Sequence, residues 1–160
     1  MLVTSRQGSA EGRPEPVAVG WREWVGLPSL GCPSIHAKVD SGADTSALHA
    51  PDLAEIGRGG KPWIRFTLLP RAGSTAGCVR VEAPIVDERN IRSSSGQLQT
   101  RPVIETDLRL GSKLFPIQIT LTDRSEMTYR MLLGRAALAG TALIDCSRAH
   151  LLPHPTEVRS

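Results

Sequence analysis

Prolines and glycines fall throughout this chain rather than collecting in one linker, and that spacing constrains its fold more than any other feature. The 12 prolines and 15 glycines lie among 160 residues, and both residue types are costly inside a helix. No long helix fits between them; short extended segments joined by turns do. Two stretches show the strand period directly. Val103, Glu105, Asp107 and Arg109 interleave with Ile104, Thr106, Leu108 and Leu110, and beyond Gly111-Ser112 the apolar Phe115, Ile117, Ile119 and Leu121 again occupy every second position. A period of two predicts a hairpin whose first strand has one wet face.

The same reading places a first strand over 17–25, with Trp21 and Trp24 and a break at Gly26 and Pro28, and a second over 35–40. A short segment over 46–50 follows, then a glycine-rich break at Gly57, Gly59 and Gly60, then a strand over 63–69. Residues 71–77 read as a loop, and 79–86 as a strand that Pro84 confines to a sheet edge. Met131-Leu132-Leu133 predicts a short buried strand closed by Gly134, residues 135–138 one or two helical turns ended by Gly140, and 142–146 a last strand. The expected fold is all-β, a closed β-barrel of about ten strands with one short C-terminal helix. Residues 1–16, poor in apolar side chains, read as a disordered leader, 17–152 as one domain and 153–160 as a tail.

Nineteen basic and sixteen acidic residues give a formal charge of +3. They are interleaved, which gives no reason to expect direct nucleic-acid binding and only a slight preference for an acidic peptide. The odd set Cys32, Cys78 and Cys146 contains no close pair and suggests a reducing, cytoplasmic setting. Cys32, between a glycine and a proline, reads as a loop thiol, and Cys78 and Cys146 as small core residues. The three tryptophans, Trp63 included, read as core or interface anchors. No apolar run reaches the 18 or so residues of a spanning helix, and 1–15 lacks the apolar stretch of a signal sequence, so no membrane contact is expected.

One segment carries chemistry. In Lys38-Val39-Asp40-Ser41-Gly42-Ala43-Asp44-Thr45 an apolar run ends in an acid, a hydroxyl and a glycine. Glycine permits a sharp turn, and the hydroxyl and nearby N–H groups can bond to the carboxylate. Asp, Ser and Gly are also ordinary β-turn residues. Peptide hydrolysis by aspartates takes two carboxylates sharing one proton, and the chain holds no second copy of the element. A catalytic Asp40 therefore needs Asp40 of another molecule, placed opposite it by a two-fold axis.

Some 90 residues later stands Met131-Leu132-Leu133-Gly134-Arg135, and between the two lies Ser93-Ser94-Ser95-Gly96-Gln97. The order of acidic turn, glycine-tipped tract, Gly-Arg and short helix resembles the retropepsins, aspartic peptidases of retroviral type. The phrases Val19-Gly20-Trp21-Arg22-Glu23, Ser46-Ala47-Leu48-His49-Ala50, Arg101-Pro102-Val103-Ile104 and Leu121-Thr122-Asp123-Arg124 are similar to the small bacterial retropepsin-like family associated with RimK-type glutamate ligases. Members of that family are often labelled ATP-dependent zinc proteases. The resemblance spans residues 17–151. It implies an aspartic endopeptidase acting as a homodimer on a peptide or protein substrate, with a glutamate-extended ribosomal protein tail as a candidate and association with the ligase. Asp40 matches its catalytic aspartate, Ser41 the hydroxyl bracing the two turns, and Gly42 the donor beside the carboxylate. Ala43, Ser94, Ser95 and Gly96 match substrate-facing turn and flap positions, and Gly134 and Arg135 the structural closure. Asp44 departs from the basic or neutral residue usual there.

A zinc site would need about three closely placed ligands. His36 and His49 flank the acidic turn and could converge, His150 and His154 read as tail, and neither His-Glu-x-x-His nor Cys-x-x-Cys occurs, so no metal and no other cofactor is expected. No phosphate-binding Gly-x-x-x-x-Gly-Lys loop is present. Arg89, Arg92, Arg101 and Arg135 read either as a solvated face or as a cleft attracting acidic substrate. The alternatives to a peptidase of aspartic type are a catalytically silent peptide-binding or regulatory module and a zinc-dependent peptidase.

Overall fold

The computed structural model describes residues 15–92 and 95–157. Its strands are β1 (Val17–Val19), β2 (Arg22–Leu27), β3 (Cys32–Val39), β4 (Ser46–His49), β5 (Ala54–Arg58), β6 (Lys61–Leu68), β7 (Val79–Pro84), β8 (Asp87–Arg92), β9 (Leu98–Leu110), β10 (Lys113–Thr122), β11 (Met131–Leu133) and β12 (Ala142–Ile144). The one α-helix among the described residues is α1 (Arg135–Leu138). The protein is mostly β, and between its glycines and prolines no helix is long and apolar enough to cross a membrane among the described residues.

The hairpin read from sequence is present. β9 and β10 pair antiparallel from Leu110↔Lys113 outward, and Gly111 takes φ +62° at the two-residue turn, a conformation that glycine adopts without strain. Ile104, Thr106, Leu108 and Leu110 point inward from β9 while Glu105 is exposed. The large sheet runs β10-β4-β11-β3-β2-β9-β8, and β9 bonds back to β10. The β2–β9 link is the register pair Gly26↔Arg109. Within this circuit lie Ile35, Leu48, Ile104, Leu108, Ile119, Leu121, Met131 and Leu133, all buried; each such side chain removed from water contributes about 1.5–3 kcal/mol. A three-stranded sheet β5-β6-β7 adds Phe66 and Leu68 to the same core, and β1 pairs parallel with β12.

Several elements differ from expectation. The first predicted strand is two, because the chain breaks at Gly20, where a Cβ would sit 2.4 Å from the Arg148 carbonyl oxygen. The glycine-rich break contains a strand, β5, turned into β6 by Gly59 and Gly60. β8 is a strand of polar, mostly exposed residues with no alternation to betray it. Cys32 is buried on β3, whereas Cys78 and Cys146 are exposed. Each of these two thiols falls just outside a strand, before Val79 and after Ile144. Pro155 is buried and lies near Gly26. The expected leader falls largely on residues 1–14, outside the described residues.

Candidate active site

β11 lies between β3 and β4, parallel to the first and antiparallel to the second. The connection 40–45 must therefore loop over the end of β11, and the residues following β11 hold it there. The Asp40 N–H donates to the Leu133 carbonyl at 2.8 Å. The N–H groups of Arg135 and Ala136 donate to the carbonyls of Ala43 and Asp44 at 2.8 and 3.0 Å. Arg135 Nη1 donates to the Ser41 carbonyl at 2.8 Å, and the Gly134 N–H to Ser46 Oγ at 3.1 Å. A Cβ on Gly134 would stand 2.5 Å from the Thr45 carbonyl carbon. Only a residue without a side chain fits against the turn at that separation.

Within the turn the Gly42 N–H donates to Asp40 Oδ1 at 3.0 Å and the Ala43 N–H to the Asp40 carbonyl at 3.3 Å. Asp40 is half-buried, and Ser41 and Gly42 are exposed. The result is a carboxylate pinned through one oxygen at the rim of the molecule, in a loop fastened to the sheet from below. The Asp44 side chain is exposed and lies 4.0 Å from Arg135, an ion pair that balances its charge.

Two hollows border the turn. Ser41, Arg135, Leu138, Ala142 and Ile144 line an apolar one of about 280 Å³. Ala43, Thr45, Arg92, Arg101 and Arg124 are among the walls of another, of about 180 Å³. Across that second hollow from the acidic turn stand Ile91 and Arg92, the last residues of β8. Ser95 and Gly96 lie exposed at the hairpin end, Gly96 at φ +83°, and Arg92 Nη1 donates to the Gly96 carbonyl at 3.3 Å. Ser93 and Ser94 fall outside the described residues.

His36 and His49 have different partners. His36 Nε2 is 2.8 Å from His150 Nε2, and the His36 ring stacks on Trp24 with centroids 4.4 Å apart. His150 is thus a contact residue of β3 and not a free tail. Burial, and then the neighbouring His150, lower the pKa of His36. His49 is 2% exposed, and its Nδ1 accepts the Arg124 N–H at 3.0 Å. Burial, and then Arg130, lower its pKa as well. Among the described residues no three His, Cys, Asp or Glu side chains stand close enough to hold a metal ion.

Sequence reading left the arginines undivided, and the structure separates them. Arg89 and Arg135 are partnered by Asp87 and Asp44, whereas Arg101 is buried. Alternation along β9 places Arg101 on the same face as the exposed Glu105, so the sequence carried no signal of its burial. Glu23 is fully buried and accepts N–H bonds from Gly20, Leu151 and Leu152 at 2.8–3.0 Å. Nothing in the sequence marked it as more than part of the phrase Val19-Gly20-Trp21-Arg22-Glu23.

A retropepsin-like strand arrangement with an acidic turn at its rim defines the class. The chain belongs to the RimB-like family of retropepsin-like aspartic endopeptidases, whose profile matches residues 18–155. It is 41% identical over 140 residues to a probable alpha-L-glutamate ligase of Shewanella halifaxensis, covering 88% of this chain and 31% of that protein. A probable alpha-L-glutamate ligase of Parasynechococcus marenigrum is 44% identical over 136 residues, covering 85% and 29%. The chain thus spans about a third of the length of the curated relatives it matches. The crystal structure of Lpg0085, a protein of unknown function from Legionella pneumophila, superposes with a TM-score of 0.72 at 29% identity, covering 84% of this chain and 97% of that one.

Proposed function

We propose that this chain is an aspartic endopeptidase, a closed β-barrel that dimerises to assemble one active site from two Asp40 carboxylates. The observation that carries the reading is the acidic turn itself. It is fixed by Leu133, Gly134 and Arg135, exposed at Ser41 and Gly42, and present once per chain. Two such turns face to face would share a single proton, because like-charged carboxylates at that spacing cannot both ionise. The ionised one takes a proton from water as the water oxygen bonds to the peptide carbonyl carbon. The protonated one gives its proton to the carbonyl oxygen, and collapse of the diol returns a proton to the departing amine.

In this reading Ser41 braces the paired turns, the Gly42 N–H orients the carboxylate, and Ala43 together with Ser95 and Gly96 at the flap contacts substrate. Gly134 and Arg135 hold the loop in place. The apolar hollow beside Ser41, walled by Leu138, Ala142 and Ile144, is the face that we assign to the second copy. The relatives' ligase name, and the fact that this chain matches only part of them, favour a peptidase that works in the cytoplasm beside a RimK-type glutamate ligase. Its substrate would be a glutamate-extended polypeptide such as a ribosomal protein tail. Incubation with a glutamate-extended peptide and analysis of the products by mass tests the reading. Asp40→Asn is expected to abolish cleavage while folding and dimerisation persist, and a variant that cleaves as fast as the parent would refute the mechanism.

A further inference from the structure

Arg101 is 6% exposed, and its hydrogen-bond partner is a neutral group, Gln99 Oε1 at 3.1 Å. No carboxylate lies within ion-pair distance of it among the described residues, whereas Arg58, Arg89, Arg135 and Arg148 each have one. An arginine keeps its proton, and a buried charge without a counter-charge is costly unless something outside the chain supplies one. Arg124 stands beside it. Its own partner is the exposed Glu126 at 3.3 Å. Burial, and then the neighbouring Arg124, lower the pKa of Arg101, as expected where like charges are confined without an acid between them.

These two arginines are walls of both hollows on this side of the molecule. One, of about 180 Å³, reaches Ala43 and Thr45 of the acidic turn and has Arg92 at its rim. The other, of about 440 Å³, runs along Gln97 and Gln99 at the start of β9. A peptide lying between the turn and the hairpin end passes the place where they meet. We propose that Arg101 and Arg124, with Arg92 at the rim, form a subsite that binds an acidic side chain of the substrate beside the scissile bond and so selects glutamate there. The proposal rests on the peptidase reading for its substrate path. Its recognition chemistry is the charge-assisted, planar pairing that guanidinium offers a carboxylate and that the isosteric amide cannot match.

The test compares a synthetic oligoglutamate peptide with the same peptide carrying glutamine throughout. The parent enzyme is expected to favour the glutamate peptide by at least about tenfold in kcat/KM, since a site built for a charged partner rejects the analogue lacking it. Arg101→Gln and Arg124→Gln are expected to bring that ratio close to one, chiefly by slowing the glutamate peptide. Should Arg101→Gln fail to fold, the parent ratio and the more accessible Arg124→Gln decide. Calorimetric binding of both peptides to Asp40→Asn separates the two proposals. Glutamate-selective binding without cleavage by the parent would keep the subsite and overturn the peptidase. Cleavage with no preference between the peptides, or a preference intact in both arginine variants, would overturn the subsite.

Discussion

Glu23 receives three backbone N–H groups, two of them from residues 151 and 152, at the far end of the domain. Removing the carboxylate leaves buried donors without a partner, which costs more than the bonds themselves contributed. Glu23→Ala is expected to lower the unfolding free energy by about 3 kcal/mol or more, read from the urea midpoint, with Glu23→Gln losing less because it keeps one acceptor. Gly134 acts by what it lacks. Its φ of −87° suits any residue, but a methyl there would press on the backbone of Asp44 and Thr45. Gly134→Ala should therefore displace the acidic turn and reduce both stability and peptide cleavage, whereas a variant with normal cleavage would show that the turn tolerates the shift. Burial on β3 pushes the Cys32 thiol up to about 11, so it stays protonated and shielded near neutral pH. A thiol reagent is expected to label Cys78 and Cys146 in the native protein and Cys32 only after unfolding.

Among elements, the strands legible in the sequence are those whose burial follows a simple period. β9 and β10 alternate, and β3, β4, β6 and β11 are apolar enough to need a core. β5 and β8 were not legible, because they pair through the backbone while most of their side chains stay in solvent. Strand pairing uses groups common to all residues, so an exposed strand leaves no compositional trace. The acidic turn was legible as a motif, but the way it is fastened was not. Only the insertion of β11 between β3 and β4 explains why a Gly-Arg pair 94 residues from Ser41 holds that turn. The Arg135 side chain is more than half exposed, so its ion pair adds little stability. Arg135→Ala is expected to leave the unfolding midpoint nearly unchanged and to lower kcat by loosening the turn. Equal losses in both would contradict a positioning role.

At the scale of the molecule, the proposed dimer places two turns across an apolar contact. Ala142→Glu, which puts a charge into the hollow, is expected to weaken association in sedimentation and to lower activity in proportion, and a dimer that survives it would move the interface elsewhere. The folded state is expected to lose stability as the medium turns acid. His36 and His49 have pKa values held below the ordinary 6.5 by burial, so the unfolded chain binds protons that the folded one refuses. Stability thus rises with pH through this range and is lost as pH falls from about 6.5 toward the lowered native values. The urea midpoint should drop between pH 7 and pH 5, and less steeply in His49→Gln. The sequence by itself determined a β-rich chain, its principal hairpin, one acidic turn and the family, since periodicity and short motifs are local properties. The tertiary structure decided what holds the turn, which histidines meet, and which arginine is shut away without an acid. Those depend on strands distant in sequence packing side by side, and no local pattern encodes that.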